Sequence, residues 1–187
     1  MKNIILFALV ILVAGAAGFG LQRYLQEPHR DLAPVIPKAV NNNVIGTTRP
    51  AFELVDLDAQ VRNIDEWNGK VILVNFWATW CPPCKKEMPA FIELQEEYAA
   101  QGLQIIGIAL DDEESVRDFA DTLGVNYPIM AAEYEGLTLS REYGNHIGAL
   151  PFSVFVDRNG TISLTQAGEL SRQQIIDIIQ PLLEQKI

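Results

Sequence analysis

Cys81 and Cys84 are the only two cysteines in the chain, and Pro82-Pro83 separates them. Two thiols three residues apart can close into a disulfide or open to a dithiol, so the pair suits thiol–disulfide exchange, whose attacking species is the thiolate. Upstream, Val71-Ile72-Leu73-Val74-Asn75-Phe76-Trp77 is an apolar run ending in aromatics, which reads as a buried central strand. Downstream, Met88, Phe91, Ile92, Leu94 and Tyr98 fall close to helical spacing. The cysteines therefore lie where a strand turns into a helix, and the free N–H groups and dipole of a helix N-terminus favour a thiolate. A structural zinc site would need four ligands, and neither His29 nor His146 stands at finger-like spacing from this pair. Two unrelated buried cysteines would not call for two intervening prolines at such a turn. The expectation is a redox dithiol with no metal.

Glu87 is the next candidate. It lies three residues after Cys84, one helical turn on, and so can reach the dithiol. A proton-transfer or pKa-tuning role competes with that of a plain solvated carboxylate.

The elements that must hold these residues are legible around them. Phe52, Leu54 and Leu57 alternate with polar positions and Val61 follows, predicting a short N-terminal hairpin, then one helical turn over Ile64–Trp67 ended by Asn68-Gly69. The spacing predicts the active-site helix over about 82–100. Proline is tolerated in its first turn, whereas Pro89 removes the backbone bond to Lys85 and should kink it. A second strand spans Gln104–Leu110, and Asp111-Asp112 opens a helix ended by Gly124. The acidic cluster Asp111–Glu114 reads as helix-start carboxylates rather than a metal site. A short strand at Tyr127–Met130 and a helix over Leu137–Tyr143 follow. Next come strands at Ser153–Val156 and Thr161–Leu164, joined by the turn Asp157-Arg158-Asn159-Gly160. Ser171 and Gln174 stand in capping-box spacing before a last helix that buries Ile175, Ile178, Ile179, Leu182 and Leu183, with Pro181 positioned to bend it. This order implies an α/β fold with a mixed sheet covered by helices on both faces.

Across 187 residues the net charge is -10, with 49% hydrophobic and 20% charged residues. That is a globular composition, and it lacks the basic footprint of a nucleic-acid-binding protein. Residues 1–21 carry an apolar stretch, Ile4 to Leu21, after Met1-Lys2-Asn3. Its length meets the lower limit for a membrane-spanning helix, and Lys2 inside would leave the bulk of the chain outside. A cleaved signal peptide is the alternative, since Ala14-Gly15-Ala16 is a small-residue site. Residues 22–47, with Pro28, Pro34, Pro37 and Asn41-Asn42-Asn43, read as an exported linker in which His29 is solvated; residues 48–187 form the folded domain. In an oxidising compartment a lone cysteine pair stays oxidised unless something reduces it.

The stretch from Asn75 to Pro89, with Trp80-Cys81-Pro82-Pro83-Cys84 at its centre, closely resembles the TlpA/ResA-like, membrane-tethered thiol–disulfide oxidoreductases of the thioredoxin superfamily. Arg49-Pro50-Ala51-Phe52-Glu53-Leu54 resembles that family's domain opening, and 111–143 its extra segment; the resemblance covers about 48–186. It implies a thioredoxin-like fold with an extra N-terminal β-hairpin and a central βα-type insertion. It makes Glu87 the family's acidic residue and Pro151 a cis-proline beside the dithiol, with Leu150 helping to hold substrate backbone. Trp80 and Pro82, flanking Cys81, complete the expected substrate-contacting set. The chain departs from the pattern at Phe152, where the family often has Thr. The loop 143–151 is about two residues longer than common, so His146 could approach the dithiol or stay on the surface. Asn75 stands where many thioredoxins carry a buried Asp, and it cannot act as a base.

The expected chemistry is attack by Cys81 on a substrate disulfide, resolution by Cys84 and proton handling by Glu87, with no cofactor. The expected role is a reductase of protein disulfides at the outer face of a bacterial inner membrane, in the periplasm, with cytochrome c maturation as one process it could serve. Its partners would be disulfide-containing proteins and a membrane-embedded thiol electron donor. A peroxiredoxin-like peroxidase is a second reading, although Thr79 stands two residues before Cys81 where such sites place Thr three before. A thiol-based copper chaperone is a third, without a Met-rich segment in support. Substrate and direction stay open.

Overall fold

The computed structural model describes residues 44–185. The expected anchor (1–21) and nearly all of the linker lie outside the described residues. The chain divides into units Met1–Ile36 and Pro37–Ile187, and the described residues belong to the second.

Strands β1 (Glu53–Val55) and β2 (Val61–Asn63) form the expected antiparallel hairpin, with Val55 opposite Val61. A 3-10 turn, Ile64–Trp67, follows directly. Asn63 accepts from the Asp65 N–H and Glu66 bonds back to the Asn63 N–H, a reciprocal cap that satisfies donors a short helix would leave free. Strand β3 (Val71–Trp77) is buried throughout. Helix α1 (Pro82–Tyr98) runs through Pro89 without ending and passes into a 3-10 turn, Ala99–Gln101, closed by Gly102 at φ 98. Strand β4 (Leu103–Ala109) leads to α2 (Glu113–Leu123), capped by Asp112 and ended at Gly124. Then come β5 (Ile129–Ala131), α3 (Glu133–Glu142), β6 (Phe152–Val156), β7 (Ile162–Ala167) and α4 (Arg172–Leu183), the last opened by the Ser171/Gln174 capping box.

Helix α3 starts four residues earlier than its apolar spacing predicts, and β7 runs three residues further. Ala132 stands at the start of α3 with no side-chain cap, so no Ser, Thr, Asp or Asn marks that helix end. Asp112 alone of the acidic pair caps α2; Asp111 is used elsewhere, as described below.

The five-stranded sheet has the order β5-β4-β3-β6-β7; β3, β4 and β5 are mutually parallel, and β6 pairs antiparallel with both β3 and β7. Alternation along β3 divides the core. Val71, Leu73 and Trp77 join one apolar cluster with Met88, Phe91 and Leu94 of α1 and Ile175 and Ile179 of α4. Ile72, Val74 and Phe76 join the other with Phe52, Ile64, Trp67, Leu139 and Tyr143. The hairpin thus helps cover one face, and it extends the β5 edge through an Asp56–Met130 bridge. By the same alternation Asn75 and Ser153 belong to the face on which α1 and α4 pack.

Candidate active site

Strand β3 ends at Trp77, and Ala78-Thr79-Trp80 carries the chain to Cys81, the residue that caps α1. Pro82 and Pro83 have no N–H, so the first free donor of the helix belongs to Cys84, and it points at Cys81 Sγ from 3.3 Å. The helix start thus presents its positive end to one sulfur. The cysteines are joined as a disulfide with Cα atoms 5.3 Å apart; Cys81 retains 5% exposure and Cys84 none. Cys81 is the sulfur an outside disulfide can meet first.

The turn before Cys81 is fastened from below. Asp111 Oδ2 accepts from the Thr79 N–H at 3.1 Å and from the Thr79 hydroxyl, and Leu110 N–H donates to Trp77 O at 2.8 Å. The end of β4 therefore holds the β3–α1 turn, a role the acidic run 111–114 did not reveal. The Thr79 hydroxyl proton is thereby committed to Asp111.

Glu87, one turn beyond Cys84, is buried with 1% exposure. The Nδ2 of Asn75 donates to its Oε1 at 2.8 Å, and the Leu170 N–H donates to its Oε2 at 3.0 Å. Burial pushes the carboxyl up to about 8, against the downward pull of those two bonds, and the nearby Glu169 carboxylate adds a further upward push. A carboxyl of that kind can both take and give a proton near neutral pH, and at 1% exposure it is not a plain solvated carboxylate. Asn75 also donates to Ser153 Oγ at 3.0 Å. The sequence shows that Asn75 leaves no base on β3 but does not show that Asn75 is the partner of Glu87. The available signal was that Asn75 and Ser153 are the single polar residues of β3 and β6.

Leu150–Pro151 is the one cis peptide bond among the described residues. Phe152, next along, pairs with Phe76 at the end of β3, so the cis-proline lies at the same end of the sheet as the dithiol. Pro151 is buried and Leu150 half-buried, while Pro82 and Trp80 are exposed, Trp80 at 65%. Trp77 is a core residue, fully buried against Phe119. His146 is exposed, on a loop whose base is clasped by Asn145, which bonds both to Ala149 O and from Ala149 N–H at 2.9 Å. Among the described residues no three His, Cys, Asp or Glu side chains group as a metal site.

The Redoxin family model matches residues 45–178. The chain is 31% identical over 177 residues to the thiol-disulfide oxidoreductase ResA of Bacillus thuringiensis (strain Al Hakam), spanning 93% of this chain and 94% of that one. The chain belongs to the TlpA/ResA-like family of the thioredoxin superfamily. It is 32% identical over 132 residues to ResA of Geobacillus thermodenitrificans (strain NG80-2), spanning 70% and 74% of the two chains. A crystal structure of a thiol:disulfide interchange protein of the thioredoxin family from Chlorobium tepidum TLS aligns with a TM-score of 0.69 at 31% identity, covering 74% of this chain and 97% of that one. A TlpA/ResA-like protein with this cysteine pair is a thiol–disulfide oxidoreductase. Within that family the expected residues fall into two groups here. Cys81, Cys84 and Glu87 share the start of α1, while Leu150 and Pro151 immediately precede β6 at the same end of the sheet.

Proposed function

We propose that this oxidoreductase reduces disulfides of exported proteins. Cys81 attacks as thiolate, forming a mixed disulfide and expelling one substrate thiolate. Cys84 then loses its proton to Glu87 and attacks Cys81 Sγ, releasing the second substrate thiolate and leaving the enzyme oxidised; two electrons pass from enzyme to substrate. The observation that carries this reading is the division of labour along α1. The Cys81 sulfur accepts the helix's first N–H, and one turn past the buried Cys84 stands a buried carboxyl with a pKa raised to about 8.

In this reading residues 1–21 tether the chain to a bacterial inner membrane, or are cleaved to leave it free in the periplasm. Residues 22–47 space the domain (48–187) from the surface, and a membrane-embedded thiol donor returns the electrons. The apolar run Ile4–Leu21 behind Lys2 supports this placement. Trp80, Pro82, Leu150 and Pro151 contact substrate. Resemblance to the ResA-like group alone supports a role in cytochrome c maturation.

The test is trapping. Cys84→Ser should leave Cys81 covalently holding its substrates, and the reduced wild type should reduce insulin disulfides. If nothing is trapped and insulin stays oxidised, the reading fails. A strongly reducing potential would support reductase over oxidase.

A further inference from the structure

Strands β3 and β6 are wholly buried, each contains one polar residue, and the register sets those two, Asn75 and Ser153, directly opposite each other. Chance placement of two polar groups in the centre of a sheet would cost stability, because buried polar atoms must find partners. Here the two Nδ2 hydrogens of Asn75 are divided between Ser153 Oγ at 3.0 Å and Glu87 Oε1 at 2.8 Å. We propose that Ser153 is a positioning residue for Glu87, acting through Asn75, so that the strand following cis-Pro151 is linked by side chains to the proton-handling carboxyl.

The physical reason lies in the carboxamide. Its terminal torsion is broad and roughly two-fold, so a single bond to Glu87 leaves the amide plane poorly defined. A second bond, to Ser153, fixes that plane and keeps the NH2 edge on Oε1, where it favours the ionised carboxylate. A hydroxyl can accept or donate, so Ser153 continues to hold the plane when Glu87 takes up a proton. Other groups near Glu87 act from elsewhere. The Leu170 N–H serves the opposite oxygen. Glu169, paired with Lys86 at 3.8 Å, pushes the carboxyl upward. Tyr127, from the segment before β5, is a buried phenol kept protonated by burial and by Glu87. None of these depends on Ser153.

This inference rests on Glu87 as the proton-handling group, but its test reads the carboxyl directly. In full-length oxidised protein, the Glu87 carboxyl stretch, assigned by its loss in Glu87→Gln, is titrated by difference infrared spectroscopy. Asn75→Ala should raise the midpoint by about one pH unit, since a donor to the charged form is lost. Ser153→Ala should raise it by less. The Asn75→Ala/Ser153→Ala double variant should match Asn75→Ala alone. The equal-volume pair Ser153→Thr and Ser153→Val isolates the hydroxyl should the alanine variant fold poorly, with Thr keeping the wild-type midpoint and Val raising it. A Ser153→Ala midpoint equal to wild type, or a double variant whose shift adds both single shifts, overturns the proposal. If the midpoints move as stated while Glu87→Gln leaves the pH profile of Cys84 unchanged, the positioning stands and the proton-handling reading falls. If that profile changes but Ser153→Ala moves nothing, the reverse holds.

Discussion

Asn75 Nδ2 and Glu87 Oε1 are 2.8 Å apart, both residues are buried, and twelve positions of sequence separate them. An amide that cannot take a proton thus stands against a carboxyl that can. In the proposed reading the proton site stands on the helix that carries the cysteines rather than on the central strand, and the strand residue holds it there.

The first prediction concerns stability and pH. Glu87 titrates from a reference of 4.5 when unfolded to about 8 when folded. Between those values the folded state holds a proton that the unfolded chain has lost, so this group's contribution is complete below pH 4.5 and disappears as pH rises through 8. The slope is roughly 1.4 kcal/mol per pH unit at most. Urea midpoints measured from pH 5 to 9 should fall more steeply for wild type than for Glu87→Gln, and parallel curves would refute the raised pKa.

Loss of the carboxyl should also slow resolution of the mixed disulfide. Rates of Cys84 attack in wild type should rise with pH and level off near 8, where Glu87 becomes a base. Glu87→Gln should be slower by roughly a hundredfold on the plateau, the lower range for positioned acid–base groups. Stopped-flow Trp fluorescence on a preformed mixed disulfide measures both.

The sulfur cap predicts unequal thiols. In Cys84→Ser, Cys81 should alkylate with iodoacetamide with a pKa well under the free value of about 8.5, because the helix start favours its thiolate. In Cys81→Ser, buried Cys84 should alkylate far more slowly at every pH. Equal rates followed by mass spectrometry would contradict the assignment.

Asp111→Ala removes both bonds that hold Thr79. The fold should survive with a loss of about 1–3 kcal/mol, the usual cost of stranding partly buried donors. Insulin reduction should fall more than stability does, since the turn presenting Cys81 loosens. Thermal unfolding paired with the insulin assay separates the two effects.

Gly107 stands opposite Ile129 in the β4–β5 register, and a Cβ there would stand 2.5 Å from Ile129 Cδ1 and 3.1 Å from Trp77 Nε1. The Ile129 tip can turn away, but the Trp77 ring is locked in the core. Gly107→Ala should destabilise by about 1–3 kcal/mol, as overpacking does. Urea denaturation checks it.

What the sequence determined by itself is local. The apolar run Val71–Trp77, the two prolines between Cys81 and Cys84, the Asp157–Gly160 turn and the Ser171/Gln174 box each state their conformation within a few residues, because period, φ restriction and capping act over one turn or one strand. The resemblance added the cis-proline and the family's fold. Tertiary structure alone decided the surroundings of Glu87. Its partners Asn75 and Leu170 lie 12 and 83 positions away, and Ser153 lies 78 from Asn75. Those meetings depend on the β3–β6 register and on how α1 lies across the sheet, neither of which is written in any short window. Asp111 shows the same limit, for its type suited a helix cap and only the neighbouring β3 turn gave it Thr79 instead. Spacing could place a carboxyl one turn from a thiol; burial, which sets its pKa, required the whole sheet around it.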